Sequence, residues 1–263
     1  MTNWSHFPPN TAEVQFDEKW AFVYKKQKHC TASEEGVGDC WDHVAYDAEN
    51  RLVLETVPGK RSRKRVRQAV QGVKRRTGGK PLRLFTTDEF SAYKEELLDA
   101  YGVAEPVEPT GKPGRPRIPR KVPSPDLLYA TVHKTRKNGK VIKVETRLQF
   151  GTEAMLKAAL AVSAVSREVN TAFIERENGT DRLKNSRKVR KTYCFSKDWD
   201  VHVCSGYFTL YSYNYCWPVR TLRQEMAPGR YKERTPAMAA GLATHVWPLR
   251  KWLTFPARAT NLN

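Results

Sequence analysis

The chain has 263 residues, 40% of them hydrophobic and 11% aromatic, which is enough for one full core with a smaller appendage and too apolar for a disordered chain. No apolar run approaches a membrane span, and Met1 to Asn10 has neither the basic nor the apolar stretch of a signal peptide. The net charge of +18 makes nucleic acid the leading partner, because neutralising phosphates releases condensed counterions.

Residues 12–57 read as three strands. In the first, Val14, Phe16, Trp20, Phe22 and Tyr24 alternate with Gln15, Asp17, Lys19 and Lys25, the period of a pleated strand. Cys40 to Tyr46 and Leu52 to Val57 follow, joined by the polar turn Asp47-Ala48-Glu49-Asn50. Residues 64–76 read as a helix with Val66, Val70 and Val73 on one side. Pro81 to Phe85 is a short strand that ends at Thr86-Thr87-Asp88. Glu89 to Tyr101 is an amphipathic helix stopped by Gly102. This order suits a mixed α/β sheet.

Residues 103–125 interrupt it. Seven prolines interleave with Lys112, Arg115, Arg117, Arg120 and Lys121, the composition of a basic linker. Leu127 to His133 and Val141 to Phe150 flank Lys137-Asn138-Gly139-Lys140, a hairpin signal. Thr152 is placed to cap a helix carrying Met155, Leu156, Ala159, Leu160 and Val162. A late helix begins near Asn170 and carries Glu175. Residues 199–217 are crowded with aromatics. Tyr207, Tyr211 and Tyr215 recur every four residues, which favours a helical core stripe over a base-stacking platform. One more helix is expected around Ala237 to Leu242.

Three carboxylates from distant segments, Asp17, Asp88 and Glu175, stand out against the basic background. Asp and Glu supply the hard oxygen ligands that Mg²⁺ takes. Two such ions roughly 3.5–4 Å apart stabilise both the attacking and the leaving oxygen of an in-line phosphoryl displacement. Each residue alone also reads as a turn, cap or first-turn carboxylate. Asp42, Asp47 and Glu18 compete with Asp17, and Glu177 is the runner-up to Glu175.

Several segments resemble the DDE-type transposases of bacterial insertion sequences, above all the insertion-sequence-one type. They are Phe16-Asp17-Glu18-Lys19-Trp20-Ala21-Phe22-Val23, Thr87-Asp88-Glu89-Phe90-Ser91-Ala92-Tyr93, and Ile174-Glu175-Arg176-Glu177-Asn178-Gly179-Thr180-Asp181-Arg182 with Arg187 to Thr192. Tyr213 to Arg223 and Arg234 to Leu242 are also similar to such enzymes, so the likeness spans about residues 12–250. It implies a ribonuclease-H-like, integrase-like fold: a mixed five-stranded sheet flanked by helices, with a basic Pro-rich insertion, an extra β-hairpin and a helical C-terminal extension. It implies a catalytic domain over 12–192, interrupted by the linker 103–126, and an aromatic-rich helical extension over 193–263. Asp17, Asp88 and Glu175 would bind two Mg²⁺ or Mn²⁺ ions. The activity implied is DNA strand cleavage at the element's end, followed by 3′-OH strand transfer into target DNA by a homodimer or higher oligomer. A catalytically silent DNA-binding remnant, and a ribonuclease-H-like nuclease of other specificity, are the alternatives.

On a helix, Asn178 and Arg182 share the face of Glu175, which assigns them to phosphate positioning with Arg176, Arg187, Lys188 and Arg190. The run Arg61, Arg63, Lys64 and Arg65 is too dense for self-contained ion pairs and reads as DNA contact. Arg115 and Arg117 in Gly114-Arg115-Pro116-Arg117 resemble a minor-groove hook, with a flexible basic linker as the plainer alternative. His29, Cys30, Cys40 and His43 lack the paired spacing of structural zinc. Sixteen residues precede Asp17 and none reads as a recognition helix, so no N-terminal DNA-reading module is expected. Five scattered cysteines suggest reduced thiols in a cytosolic, cytoplasmic setting, and the resemblance implies a prokaryotic, nucleoid-associated protein.

Overall fold

The computed structural model describes residues 9–106 and 119–255, so Arg115 and Arg117 lie outside the described residues. In chain order come strands β1 (Glu13–Val23), β2 (Gly38–Asp47) and β3 (Leu52–Gly59), helix α1 (Arg63–Arg76), strand β4 (Leu84–Thr87) and helix α2 (Ala92–Tyr101). Two short strands, β5 (Val103–Ala104) and β6 (Lys121–Val122), precede the long hairpin β7 (Tyr129–Lys137) and β8 (Lys140–Phe150). Helices α3 (Glu153–Val162), α4 (Ala172–Lys184) and α5 (Trp199–Cys216) follow, then strands β9 (Gln224–Ala227) and β10 (Arg230–Lys232) and helices α6 (Pro236–Ala239) and α7 (Leu249–Thr254).

The result is a mixed α/β fold on a six-stranded sheet of order β3-β2-β1-β4-β7-β8. Strands β1, β4 and β7 run parallel, while β2, β3 and β8 are antiparallel to their neighbours. The sheet has six strands where five were expected, because the hairpin is not a separate appendage. Its first strand pairs with β4 and its second becomes the sheet edge. The Pro-rich segment also differs from a free linker at its ends, where Val103 pairs with Val122 and Ala104 with Lys121.

Strand alternation decides what each face buries. Val14 and Phe16 of β1 join Phe85, Tyr93, Leu97, Val66 and Val70 in the core under α1 and α2. On the other side Val44, Tyr46 and Val53 pack against Ile174 of α4 and Leu210 and Tyr213 of α5. Leu84, Leu128, Ala130 and Val132 pack against Leu156 and Ala159 of α3, and Thr152 caps α3 by accepting from Met155 N at 3.2 Å. Helix α5 also satisfies the edge strand β3: the Asn214 side chain accepts from Val53 N at 3.0 Å and donates to Val53 O at 2.8 Å. The tyrosine stripe is a packing stripe. Tyr207 and Tyr211 stack on each other, the Tyr211 hydroxyl donates to Glu55, and Tyr215 meets Trp247. All five cysteines are free thiols. Among the described residues no helix is long and apolar enough to cross a membrane.

Candidate functional site

The polar face of β1 lies beneath α4, with Gln15 and Lys19 buried and Asp17 half-buried. Three residues at strand spacing meet three levels of the helix. Gln15 Oε1 accepts from Ile174 N at 3.0 Å, Asn178 Nδ2 donates to Asp17 Oδ2 at 2.7 Å, and Lys19 pairs with Asp181. Two residues of strand rise about 6.6 Å and one helical turn rises about 5.4 Å, so the two elements stay in step over this length. This ladder holds Asp17 in place.

Asp88 stands just past the end of β4. Its Oδ1 accepts from Phe90 N at 3.1 Å, the local turn that short acidic side chains favour. That turn is why α2 starts at Ala92 and not at Glu89. Glu175 sits in the first turn of α4, where its carboxylate accepts from the Thr171 hydroxyl at 2.8 Å and from Lys134.

The three carboxylates line one open pocket of about 530 Å³ with Glu18, Glu89, Val132, Lys134, Arg136, Thr171, Asn178, Arg182 and Arg190. Burial, then the negative charge of Asp88, pushes the Asp17 carboxyl up to about 6. The same two causes push Glu18 up to about 7. Burial also acts to raise Glu175, but its bonds to Lys134 and Thr171 outweigh that and hold it below the ordinary glutamate range. The oxygens of Asp17, Asp88 and Glu175 are not all within 4.8 Å of one another. The donor set is all oxygen, as Mg²⁺ and Mn²⁺ prefer, and the mutual repulsion that raises Asp17 is what a cation would relieve.

Of the competing carboxylates, Glu177 is buried away from the pocket, with Asp181 and Tyr213 beside it. Asp47 caps its own turn through bonds from Glu49 N and Asn50 N. Asp42 is buried between Lys19 and Lys188. Glu18 lines the pocket but is tied to Arg61.

The basic residues divide. Arg182 and Arg190 line the pocket, and Arg176 is exposed on α4. Arg187 is half-buried and outside the pocket lining. Asn178, expected to position phosphate, lines the pocket and donates to Asp17. Lys188, expected to touch DNA, is buried and bonded to Asp42; Gly206 of α5 makes room for it, since a Cβ there would lie 2.4 Å from Lys188 Nζ. Burial acts to raise Asp42, but the Lys188 and Lys19 ammoniums outweigh it and hold it at about 2. The run along α1 is less free than its density implied. Arg61 pairs with Glu18 and lies 4.3 Å over the Phe90 ring, and Arg63 pairs with Glu95 and Glu96. Arg65 donates to Gln68, and Lys64 is exposed.

Lys134 and Arg136 were missed in the sequence. The signal was present: with Val132 they occupy alternate positions of one strand. A second missed cluster is Cys40, Asp42 and His202, the one group of metal-binding side chains within 4.8 Å among the described residues. The Lys188 ammonium already answers Asp42 there, and burial with that charge pushes His202 down to about 4. Among the described residues His29, Cys30, Cys40 and His43 do not come together as a metal-binding group. Comparison of the chain with protein-family models gives no match, and comparison with curated proteins finds no significant relative.

Proposed function

We propose that the chain is a divalent-metal-dependent polynucleotidyl transferase acting on DNA, of the insertion-sequence transposase type, on a ribonuclease-H-like sheet. The observation that carries this reading is the meeting of Asp17, Asp88 and Glu175 in one pocket, from the first strand, the end of the fourth and a late helix. The strand order β3-β2-β1-β4-β7, with β8 added at the edge, supports it. Asp17 lies between the other two carboxylates in the electrostatic sense, since both raise it, and it is the natural shared ligand.

Bound ions of this kind supply Lewis-acid stabilisation of the phosphate and activation of the attacking oxygen. The protein's own groups do the rest. Asn178 fixes the Asp17 carboxylate. Arg182 and Arg190 form the positive wall against which a backbone phosphate rests; Arg182 Nε is buried with no acceptor among the described residues, as suits a donor awaiting a phosphate oxygen. Cleavage of one strand by water, then attack of the freed 3′-OH on a second duplex, uses the same pocket twice. Joining two element ends calls for at least two copies of the chain.

The test is Mn²⁺-dependent nicking and strand transfer on duplex DNA carrying candidate ends. Wild type is expected to act and Asp88→Ala to lose activity by at least about 10³-fold, the scale of losing a transition-state charge stabiliser. Equal activity in the two chains refutes the assignment. Greater activity on RNA–DNA hybrids or junctions than on duplex ends redirects it to a nuclease of other specificity.

A further inference from the structure

The β7–β8 hairpin leaves the sheet as an arm. Tyr129 to Val132 are buried, whereas Thr135 to Lys137 and Lys140 to Val144 are exposed. The connection is tight: Asn138 and Gly139 have φ of 51° and 77°, as the two-residue turn that matches strand twist requires. Register places Lys134 opposite Val144, Thr135 opposite Lys143, Arg136 opposite Val141 and Lys137 opposite Lys140.

Paired residues share a face. One face carries Val132, Lys134 and Arg136, all lining the carboxylate pocket. It runs outward beside Val141 and Val144, which are 43% and 57% exposed. The other face carries Thr135, Lys137, Lys140 and Lys143. Between residues 134 and 147 there are six cations and one acid, Glu145. Lys143 pairs with that acid, while Arg136, Lys137 and Lys140 form no ion pair among the described residues.

This separates the arm from α1, whose Arg63, Arg67 and Arg76 are answered by Glu96 and Glu55. Like charges directly opposite on a ribbon are destabilising, and Lys137 faces Lys140. A sequence that keeps this repulsion on a projecting arm has a use for it, and a polyanion relieves it.

We infer that the β7–β8 arm is a clamp for duplex DNA that runs out of the carboxylate pocket. Its lysines sit on the phosphates, and its exposed valines and Ile142 lie against the groove. A two-stranded ribbon fits the major groove. From Lys134 to Arg136 the pocket-side face rises about 6.6 Å, the length of roughly two phosphates of one strand at about 3.4 Å each. The inference rests on the functional reading above for the identity of the polyanion. It adds which surface holds the duplex and along which line.

The experiment compares wild type with Lys137→Gln/Lys140→Gln/Lys143→Gln, three exposed changes away from the core, in equilibrium binding to a 30-base-pair duplex between 50 and 300 mM salt. Each phosphate contact adds about 0.9 to the slope of log K against log salt. The variant is therefore expected to keep its thermal unfolding and its Mn²⁺ binding while its slope falls by about 2 to 3. A wild type that binds duplex with an unchanged slope in the variant overturns the clamp and leaves the functional reading standing. A wild type with no salt-dependent duplex binding overturns both. An unchanged slope with loss of a dimer in sedimentation assigns the β8 edge to a second copy and also overturns the clamp.

Discussion

Lys134 Nζ donates to Glu175 Oε1, so one pocket carboxylate is answered by the protein's own cation. Lys134 also reaches the Thr171 hydroxyl at 3.1 Å, and Thr171 in turn donates to Glu175. A divalent ion that takes Glu175 as a ligand must displace this ammonium. Lys134→Met is therefore expected to tighten Mn²⁺ binding by about tenfold, equivalent to about 1.4 kcal/mol. Calorimetric titration of DNA-free protein checks it. Weaker binding in the variant would mean that Lys134 holds Glu175 ready for metal and does not compete for it.

The second prediction concerns the buried charges. Lys188 and Lys19 neutralise Asp42, with Lys19 at 3.5 Å and also bonded to Asp181. Removing one partner of a buried pair costs about 3–5 kcal/mol, because the remaining charge is left uncompensated. Lys188→Met is expected to lower the urea midpoint accordingly while leaving the salt slope of DNA binding unchanged. A stable variant with a reduced slope would return Lys188 to the DNA-contacting set.

Glu177 gives a pH prediction. Burial, then the charge of Asp181, pushes its carboxyl up to about 8. The folded state therefore holds a proton that the unfolded chain releases near the ordinary value of about 4.3. Between these values the folded state binds more protons than the unfolded, so stability falls as pH rises. The contribution is complete below about pH 4 and lost by about pH 8, with about 1.4 kcal/mol per unit of separation. Glu177→Gln is expected to remove most of this slope and to raise the melting temperature at pH 8. Chemical denaturation across pH 5–9 reads it, and parallel curves for the two chains would contradict it.

How much of this the sequence carries depends on whether a signal is local. The alternation along β1, the valine stripe of α1, the Thr152 cap and the Asn-Gly turn are all short-range patterns, and each element formed where its pattern lay. The start of α2 was misplaced because the Asp88 turn competes with helix over just those residues. The three acidic positions were legible as candidates, but their meeting depends on strand order, which no window of sequence contains. Charged residues were the least legible. Lys188 and Lys64 look alike in the chain, yet one is buried against Asp42 and the other faces solvent, because burial is set by what packs above. Lys134 and Arg136 were not singled out, because their place in the pocket follows from β7 lying beside β4.

The most direct test of the central claim is anomalous diffraction from crystals of the protein soaked in Mn²⁺. The expected result is density for one or two ions between Asp17, Asp88 and Glu175, with carboxylate oxygens at about 2.0–2.2 Å, lost in Asp17→Asn. Density absent from this pocket, or found at Cys40, Asp42 and His202 instead, would contradict it.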